Sequence, residues 1–206
     1  NEALWSTGQT MFMQAYSTRG EYAFAAQNIT GAISQLVFVT FGGVATGIAV
    51  LVGNTLGKNE LAEAKDNAKK LIAFAVFFAA CMGFLLFILS FFILNIYSIA
   101  DETKAIAQFN IRVNAVFVPI YSFNVAMYHT LRSGGDTKST LLMDSVYMWV
   151  VSVPIIFVIS RWTAWPVTIM FLIVQLTDIP KALFAYSRYK KGYWIKNLAK
   201  NETLLA

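Results

Sequence analysis

Acidic and amide side chains occur within segments that are otherwise apolar, and the first segment carries the clearest set. Ala3–Thr18 contains no Asp, Glu, Lys or Arg and follows directly on Glu2. At helical spacing Glu2, Gln9, Met13 and Tyr16 fall on one face. An ionised carboxylate in lipid costs several kcal/mol, so the presence of Glu2 beside an apolar segment has to be explained. Two interpretations stay open: an acid wetted by headgroups at a helix start, or a functional acid.

Two further acids lie at the edges of apolar segments. Asp144 stands near the start of the fifth segment, and Asp178 stands near the end of the sixth, three residues before Lys181. Residues three apart on a helix are neighbours, so Asp178 and Lys181 can pair. Lys181 can also extend its ammonium to the inner membrane surface. These residues alone favour a structural pair.

The fourth segment carries polar side chains on both sides of a proline. Pro119 lies near its middle, where the missing N–H kinks a helix. Tyr121, Asn124 and Tyr128 follow on one predicted face. In the second segment Gln35 needs protein or water as a neighbour, while Ala45, Ala49, Gly53 and Gly57 form a small-residue stripe. The stripe predicts close packing of helices and no particular function.

Composition restricts the class of protein. The 206 residues are 57% hydrophobic and 13% charged, and soluble domains are near 25% charged. We therefore predict an all-α integral membrane protein. A single cysteine, Cys81, and a single histidine, His129, give no disulfide framework and no metal-ligand spacing. Without a nucleophile–base pair or a phosphate-binding loop, an enzyme is not predicted, and no cofactor is expected.

Six charge-poor segments predict a six-helix bundle, since a crossing needs about 20 residues. Twelve of the 16 basic residues fall on alternate connections and the basic tail 188–206. The positive-inside rule then puts that end, with the C-terminus, in the cytoplasm of a multi-pass inner-membrane protein. Positive charge sorted by loop is a membrane pattern and does not indicate nucleic acid. Gly57–Lys70 predicts an amphipathic surface helix ahead of the third span, Leu71–Ile99, and Trp194 predicts an interfacial anchor.

Several stretches taken together resemble the multidrug and toxic compound extrusion (MATE) family of antiporters. They occur in a fixed order over nearly the whole chain. They are Asn1-Glu2-Ala-Leu-Trp5-Ser-Thr-Gly8, Ala25-Ala26, Gly47, Val52-Gly53-Asn-Thr-Leu-Gly57, Leu131-Arg132-Ser-Gly-Gly-Asp136-Thr and Asp178-Ile-Pro-Lys181. The resemblance implies twelve helices in two lobes. Residues 1–206 are then expected to be the C-terminal lobe, helices seven to twelve, beginning just inside helix seven.

The resemblance also implies a site. Glu2 matches the family's Asn-Glu pair, which implies a role in coupling to H⁺ or Na⁺ and in binding cationic drugs. Many family members carry another acid in helix ten, but Ile106–Leu131 contains none, so the coupling ion stays open. Asp144 and Asp178 are secondary acid candidates. The expected cavity wall, which ordinary packing would equally explain, is Trp5, Gln9, Met13, Gln35, Tyr121, Asn124 and Tyr128.

The implied mechanism is alternating access by two rocking lobes, with membrane lipid, small organic cations and the N-terminal lobe or a second copy as partners. One alternative is a flippase of lipid-linked sugars, which would need a cationic cavity, and Arg112 is the candidate cation for it. The other alternative is a membrane scaffold without transport.

Overall fold

The computed structural model describes residues 2–196, apart from the side chains of Glu2 and Thr40, and this part of the chain is helical without a strand. Six long helices run through it, with a 3₁₀ turn, Ile93–Ile96, between the third and fourth. They are α1 (Glu2–Ser17), α2 (Glu21–Gly57), α3 (Leu61–Leu89), α4 (Asp101–Ser133), α5 (Thr137–Trp162) and α6 (Val167–Lys190). Two π-helical stretches, Leu142–Val146 and Met148–Ser152, lie within α5.

Four of these helices, α2, α3, α5 and α6, are long and apolar enough to cross a membrane. Large apolar side chains on their outer faces are exposed, among them Phe77 and Phe84 at 69% each. In water such surfaces would be unfavourable, whereas lipid covers them without cost. The predicted all-α membrane bundle is confirmed, and the protein is a multi-pass membrane protein.

Helix α4 lies at the centre of the bundle and packs against α2, α3 and α6. It buries several polar side chains, including Asn110, Asn114, Ser122 and Asn124. Ser122 Oγ, for example, donates to the Ala75 carbonyl of α3 at 3.1 Å. Because these groups face protein, α4 can be too polar for a lipid-facing span and still belong to the membrane bundle.

One prediction about helix packing is wrong and another holds only in part. The predicted surface helix is not separate from the third span, since α3 runs unbroken from Leu61 to Leu89 and ends before the predicted Ile99. Its first turns bury Ala64 against the core.

The small-residue stripe of α2 is packed at one end only. Ala45 is buried, and the Ala49 carbonyl accepts from Ser133 Oγ of α4 at 3.5 Å, whereas among the described residues a Cβ at Gly53 or Gly57 would meet nothing within 4 Å. Another close approach between helices is at Gly83, against the Ala115 carbonyl of α4.

The connections alternate between two ends of the bundle, as the charge pattern predicts. At one end, Arg19 joins the α1–α2 turn to the α5–α6 loop. Its Nε donates to the Trp165 carbonyl at 2.8 Å, and its Nη2 donates to the Thr163 carbonyl at 2.6 Å. Nη1 donates to the Ser160 carbonyl at 3.1 Å, so one guanidinium satisfies the last carbonyls of α5.

At the other end, the C-terminal turn folds onto the α4–α5 connection. Asp136 caps α5 by accepting from the Ser139 N–H at 3.3 Å, and Arg188 Nη2 lies 3.1 Å from its other oxygen. Burial opposes ionisation of Asp136, but these hydrogen bonds and the Arg188 charge hold the pKa of this carboxyl below its ordinary value.

Trp194 is not the interfacial anchor that the sequence predicts, because it is fully buried. Its ring stacks on Tyr189 at 5.3 Å, and its Nε1 donates to the Tyr189 carbonyl at 3.1 Å. Gly134 lies directly under the Trp194 carbonyl, where a Cβ would overlap that backbone. The backbones of Gly134 and Trp194 are so close that position 134 has no space for a side chain. The remainder of the predicted tail, residues 197–206, lies outside the described residues.

We expect Gly134→Ala to lower the free energy of unfolding by about 1–3 kcal/mol, the usual cost of overpacking, because the Trp194 backbone must move. Gly53→Ala is the matched control. It adds the same methyl group where space is open, inside a helix that alanine favours by up to about 1 kcal/mol. Thermal unfolding in detergent compares the two variants, and equal shifts would contradict the packing of Trp194 on Gly134.

We expect Arg19→Met to lower the free energy of unfolding by about 2 kcal/mol, because hydrogen bonds from a charged donor are worth about 1.5–3 kcal/mol. The matched control is Arg161→Met, which removes an exposed arginine at the same end of the bundle. Denaturant titration of the detergent-solubilised protein measures both. A variant at Arg19 as stable as the one at Arg161 would show that the carbonyl contacts contribute little.

Candidate functional site

A cavity of about 600 Å³ lies between five helices. In the described part of the chain α3 contributes nothing to its wall. The lining residues are Trp5, Ser6, Gln9, Phe12, Met13 and Tyr16 of α1; Gln27, Thr30, Gly31, Ser34, Gln35, Phe38 and Val39 of α2; Asn114, Phe117, Val118 and Tyr121 of α4; Asp144, Tyr147, Met148 and Ser152 of α5; and Phe171, Val174, Gln175, Thr177, Asp178 and Lys181 of α6.

Most of the predicted wall lies on this cavity. The structure brings together Trp5, Gln9, Met13, Gln35 and Tyr121, together with both secondary acid candidates, Asp144 and Asp178. Much of the surface between them is aromatic: the rings of Phe38 and Tyr121 lie 4.7 Å apart. A wall of this kind suits apolar and aromatic ligands of drug size. That these residues bind a substrate remains a prediction.

Two of the residues predicted for the cavity wall, Asn124 and Tyr128, do not line the cavity. Asn124 is buried against α6, where its Nδ2 donates to the Asp178 carbonyl at 3.2 Å. Tyr128 packs beside the core cluster that contains Leu131 and Trp194, and its hydroxyl accepts a hydrogen bond from Arg132 Nη1 at 3.1 Å. Helical spacing puts Tyr121, Asn124 and Tyr128 on one side of α4, but of the three only Tyr121 lines the cavity.

Glu2 is the first residue of α1, and its side chain lies outside the described residues. The backbone shows that α1 is helical from Glu2 onward. Trp5, Ser6 and Gln9, which follow Glu2 at helical spacing, line the cavity. Within the described residues, no group of three or more His, Cys, Asp and Glu side chains could hold a metal ion.

A chain of polar side chains crosses the cavity wall and joins three helices. Gln175 of α6 donates to Asn114 Oδ1 of α4, and Asn114 Nδ2 donates to Ser34 Oγ of α2 at 2.6 Å. Each amide interrupts a mostly apolar helix, and that interruption is the sequence signal that could have identified this network. The network holds one side of the cavity in a fixed shape, because each member satisfies another.

One amide nitrogen beside the wall has no partner. Gln27 is only 6% exposed, and its Nε2 makes no hydrogen bond. A buried donor left unpaired costs about 1–3 kcal/mol. Because this nitrogen has almost no exposed surface, it is a local cost of the packing and is not open to the cavity.

Helix α6 is irregular where it borders the cavity. Pro180 lacks an N–H and interrupts the backbone ladder, and the helix breaks at Thr177. At this break the Thr177 carbonyl accepts from the Tyr147 hydroxyl of α5 at 2.9 Å, and the Asp178 carbonyl accepts from Asn124 Nδ2 of α4 at 3.2 Å. These two hydrogen bonds join the break in α6 to α5 and α4, while the carbonyl that loses its helical donor to Pro180 is that of Leu176.

Three charged groups meet between α5 and α6. Lys181 Nζ lies 3.5 Å from Asp144 Oδ1 and 4.0 Å from Asp178 Oδ1. The predicted Asp178–Lys181 pair is therefore present, but Asp144, which the sequence did not link to it, is the nearer partner. Lys181 does not extend to the membrane surface as predicted, because its side chain is only 15% exposed and faces the cavity.

The chain belongs to the MatE family, since the family model matches residues 2–158. It is 21% identical to the uncharacterized transporter YisQ of Bacillus subtilis over 177 residues, which is 86% of this chain and 39% of YisQ.

It is also 26% identical over 141 residues to the probable multidrug resistance protein NorM of Photorhabdus laumondii, covering 68% of this chain and 31% of that protein. It is 20% identical over 159 residues to the probable multidrug resistance protein NorM of Thermotoga maritima, covering 77% of this chain and 34% of that protein. The chain spans between about a third and two fifths of the length of these relatives. No solved structure matches it.

Proposed function

We propose that this chain is the C-terminal lobe of a multidrug efflux antiporter that is driven by H⁺ or Na⁺ and works by alternating access. The observation that carries the proposal is the aromatic, amide-lined and acid-containing cavity inside a membrane bundle of the MatE family. Relatives in this family are named probable multidrug resistance proteins. A cavity of about 600 Å³ lies within the range of sites for drug-sized molecules.

The proposed substrates are small organic cations. Aromatic faces such as Tyr121 and Phe38 attract positive charge, and the unbranched Met13 adapts to different shapes. Such a wall tolerates many apolar bodies, while the acids Asp144 and Asp178 favour a positive charge. This combination supports breadth of shape together with selection by charge.

The proposed coupling residue is Glu2. A carboxylate can hold a proton or a metal cation, or it can attract a cationic drug, but the three compete for one negative charge. Competition of this kind is what exchange requires, since binding of one ligand must weaken the binding of the other. Support comes from the helical register of α1, in which Trp5 and Gln9 reach the cavity, and from the family's Asn-Glu pair at Asn1 and Glu2.

The proposed partner of this lobe is an N-terminal lobe with which it encloses the transport pathway, or a second copy of the chain. Support comes from the length of the relatives, of which the chain matches 31–39%. We further propose an inner-membrane location with the C-terminus in the cytoplasm, because the basic residues concentrate at the end of the bundle that holds Asp136 and Arg188.

Arg112 argues against the flippase alternative. It does not line the described cavity, and its guanidinium instead donates to Ser90 Oγ at 3.3 Å and lies 4.3 Å from the centre of the Phe91 ring. A pyrophosphate would therefore find Lys181 as the single cationic group on the described wall, with two carboxylates beside it.

The orientation is tested with single cysteines in a Cys81→Ala background. We expect cysteines at Lys58 and Lys191 to react with a membrane-impermeant maleimide only after cells are opened, because both positions belong to the basic end. Cysteines at Glu102 and Arg161, which are exposed at the other end, should react in intact cells. The reverse pattern would contradict the proposed orientation, and a mixed pattern would contradict the alternation of ends.

Transport is tested with the full natural chain in liposomes under an imposed cation gradient. We expect Glu2→Gln to fold normally but to lower drug efflux at least about tenfold, because a neutral amide cannot exchange a cation. The dependence of drug binding on pH or Na⁺ should weaken as well. Glu2→Asp should keep part of the activity, since the charge is retained while the reach is shorter.

Glu21→Gln is the matched control, because it neutralises an exposed acid at the start of α2. It should transport like wild type. Exchange at the wild-type rate in Glu2→Gln would refute the assignment of Glu2, and absence of any drug-driven exchange in the wild type would refute antiport altogether and favour the scaffold alternative.

A further inference from the structure

Two neighbouring side chains of α5 hold the first turns of α1. Trp149 Nε1 donates to the Leu4 carbonyl at 3.0 Å. Met148 is buried beside it, and a Cβ on Gly8 would overlap the Met148 sulfur. Leu4 and Gly8 are four residues apart and therefore lie on one face of α1. That face is fixed to α5 by one directed hydrogen bond and one close approach.

The hydrogen bond from Trp149 holds a part of α1 that packing leaves open. Residues 3–7 are all exposed, so the apolar core of the chain does not hold them in place. The hydroxyl of Thr7 bonds within α1, to the Ala3 carbonyl at 2.8 Å. In the described part of the chain, Trp149 makes the hydrogen bond that joins residues 3–7 to another helix. Its direction is definite, because an indole N–H can only donate and a carbonyl oxygen can only accept.

The winding of α5 allows the same stretch to hold α6 as well. Tyr147 donates to the Thr177 carbonyl at 2.9 Å, and Ser152 Oγ lies 2.9 Å from Thr177 Oγ1. Tyr147 and Ser152 are five residues apart, and at about 3.6 residues per turn they would point about 140° away from each other. The π-helical stretch Met148–Ser152 closes its hydrogen bonds over five residues and so brings such positions nearer to one side. Met148 and Trp149 are left to contact α1.

We propose that Trp149 is a positioning residue for the coupling acid. By holding the Leu4 carbonyl, it sets where the first turn of α1, and with it Glu2, stands relative to the cavity. The inference rests on the proposed function, in which Glu2 exchanges a cation for a drug. Trp149 does not belong to the described cavity wall, so it acts through α1 and not on the ligand. Glu2 precedes Leu4 by two residues in the same helical turn.

Loss of the Trp149 contact should weaken cation binding more than it weakens apolar binding. When a helix turn moves, its carboxylate spends only part of the time in the arrangement that binds the cation, and the apparent affinity falls by that fraction. A turn that is correctly placed about a third of the time lowers the affinity about threefold. The aromatic wall belongs to other residues and keeps its shape.

The test compares two substitutions of one ring in the full natural chain. Trp149→Phe removes the N–H and keeps an aromatic side chain. Trp149→His keeps an N–H, because Nε2 of its five-membered ring stands where Nε1 of the indole stands. The probe is rhodamine 6G, a fluorescent organic cation, followed by fluorescence polarisation in detergent while H⁺ or Na⁺ is titrated at a probe concentration well below its Kd. Nile red, which is uncharged, reports the apolar wall.

We expect Trp149→Phe to raise at least about threefold the concentration of H⁺ or Na⁺ that displaces half of the rhodamine 6G. Exchange of rhodamine 6G for the cation in liposomes should fall by a similar factor. Trp149→His should stay within about twofold of wild type in both measurements, since its N–H replaces the lost donor. The affinity for Nile red should be the same in all three proteins.

The effect must depend on Glu2. In a Glu2→Gln background, Trp149→Phe should cause no further change in the affinity for rhodamine 6G or in exchange, because the group that Trp149 positions is absent. Trp162→Phe is the matched control. It removes the indole N–H of a tryptophan near the end of α5 that is 79% exposed, and it should behave like wild type in every measurement.

Hydrogen–deuterium exchange measures the anchoring of α1 independently of transport. In Trp149→Phe the backbone amides of residues 3–10 should exchange at least about threefold faster than in wild type, because this segment opens more often. Trp149→His and Trp162→Phe should leave these amides unchanged. The amides of residues 44–52 of α2 serve as the internal reference.

Three results would each refute the positioning role: unchanged amide exchange of residues 3–10 in Trp149→Phe, equal behaviour of the two variants at Trp149, or an effect that persists in the Glu2→Gln background. The proposed function then stands as long as wild type exchanges drug for cation and Glu2→Gln does not. If Glu2→Gln exchanges at the wild-type rate, the assignment of Glu2 and this inference fail together.

A variant that does not fold is also informative. If Trp149→Phe misfolds while Trp149→His folds with wild-type amide protection, the N–H is the group that holds α1, and the proposal is supported. If both misfold, the whole indole ring is needed for folding, Trp149 is a structural residue, and the proposal is refuted.

Discussion

The requirement that polar groups inside a membrane bundle find partners within the protein shapes this structure. Lipid offers no hydrogen bonds, so an unpaired amide or carbonyl there costs several kcal/mol. Helix α4 shows the consequence, because its amides would be unfavourable against lipid and instead lie at the centre of the bundle. Ser122 contacts the backbone of α3, and Asn114 joins α2 to α6. Packing against α4 therefore determines where the other helices lie.

The same requirement explains the form of the cavity. Helix α6 breaks at Thr177, three residues before Pro180, and Tyr147 and Asn124 donate to the Thr177 and Asp178 carbonyls at that break. These contacts hold an irregular backbone beside open space, an arrangement that membrane proteins tolerate where it is enclosed by protein or lines a cavity. The exposed amides on the cavity wall, Gln9 and Gln35, are the polar groups that a ligand can reach.

At the two ends of the bundle, specific contacts hold the short connections between helices together. At one end Arg19 donates to the carbonyls that end α5, a use for which a planar guanidinium with several donors is suited. At the other end Trp194 and Gly134 bring the C-terminal turn against the α4–α5 connection. Both contacts tie α5 and α6 to other helices at their ends, and these two helices contribute part of the cavity wall.

The sequence by itself determined the class of protein, the number of helices and the alternation of charge between the two ends, because hydrophobic length and loop charge act locally along the chain. The resemblance carried by its motifs implied a common cavity for Trp5, Gln9 and Tyr121, and the structure brings these three side chains together. It could not tell that Asp144 and Lys181, 37 residues apart, would meet, that Trp194 would be buried, or that Asn124 would lie under α6. Those outcomes depend on how helices cross, and crossing is decided by packing between segments distant in sequence, which periodicity within one segment does not record.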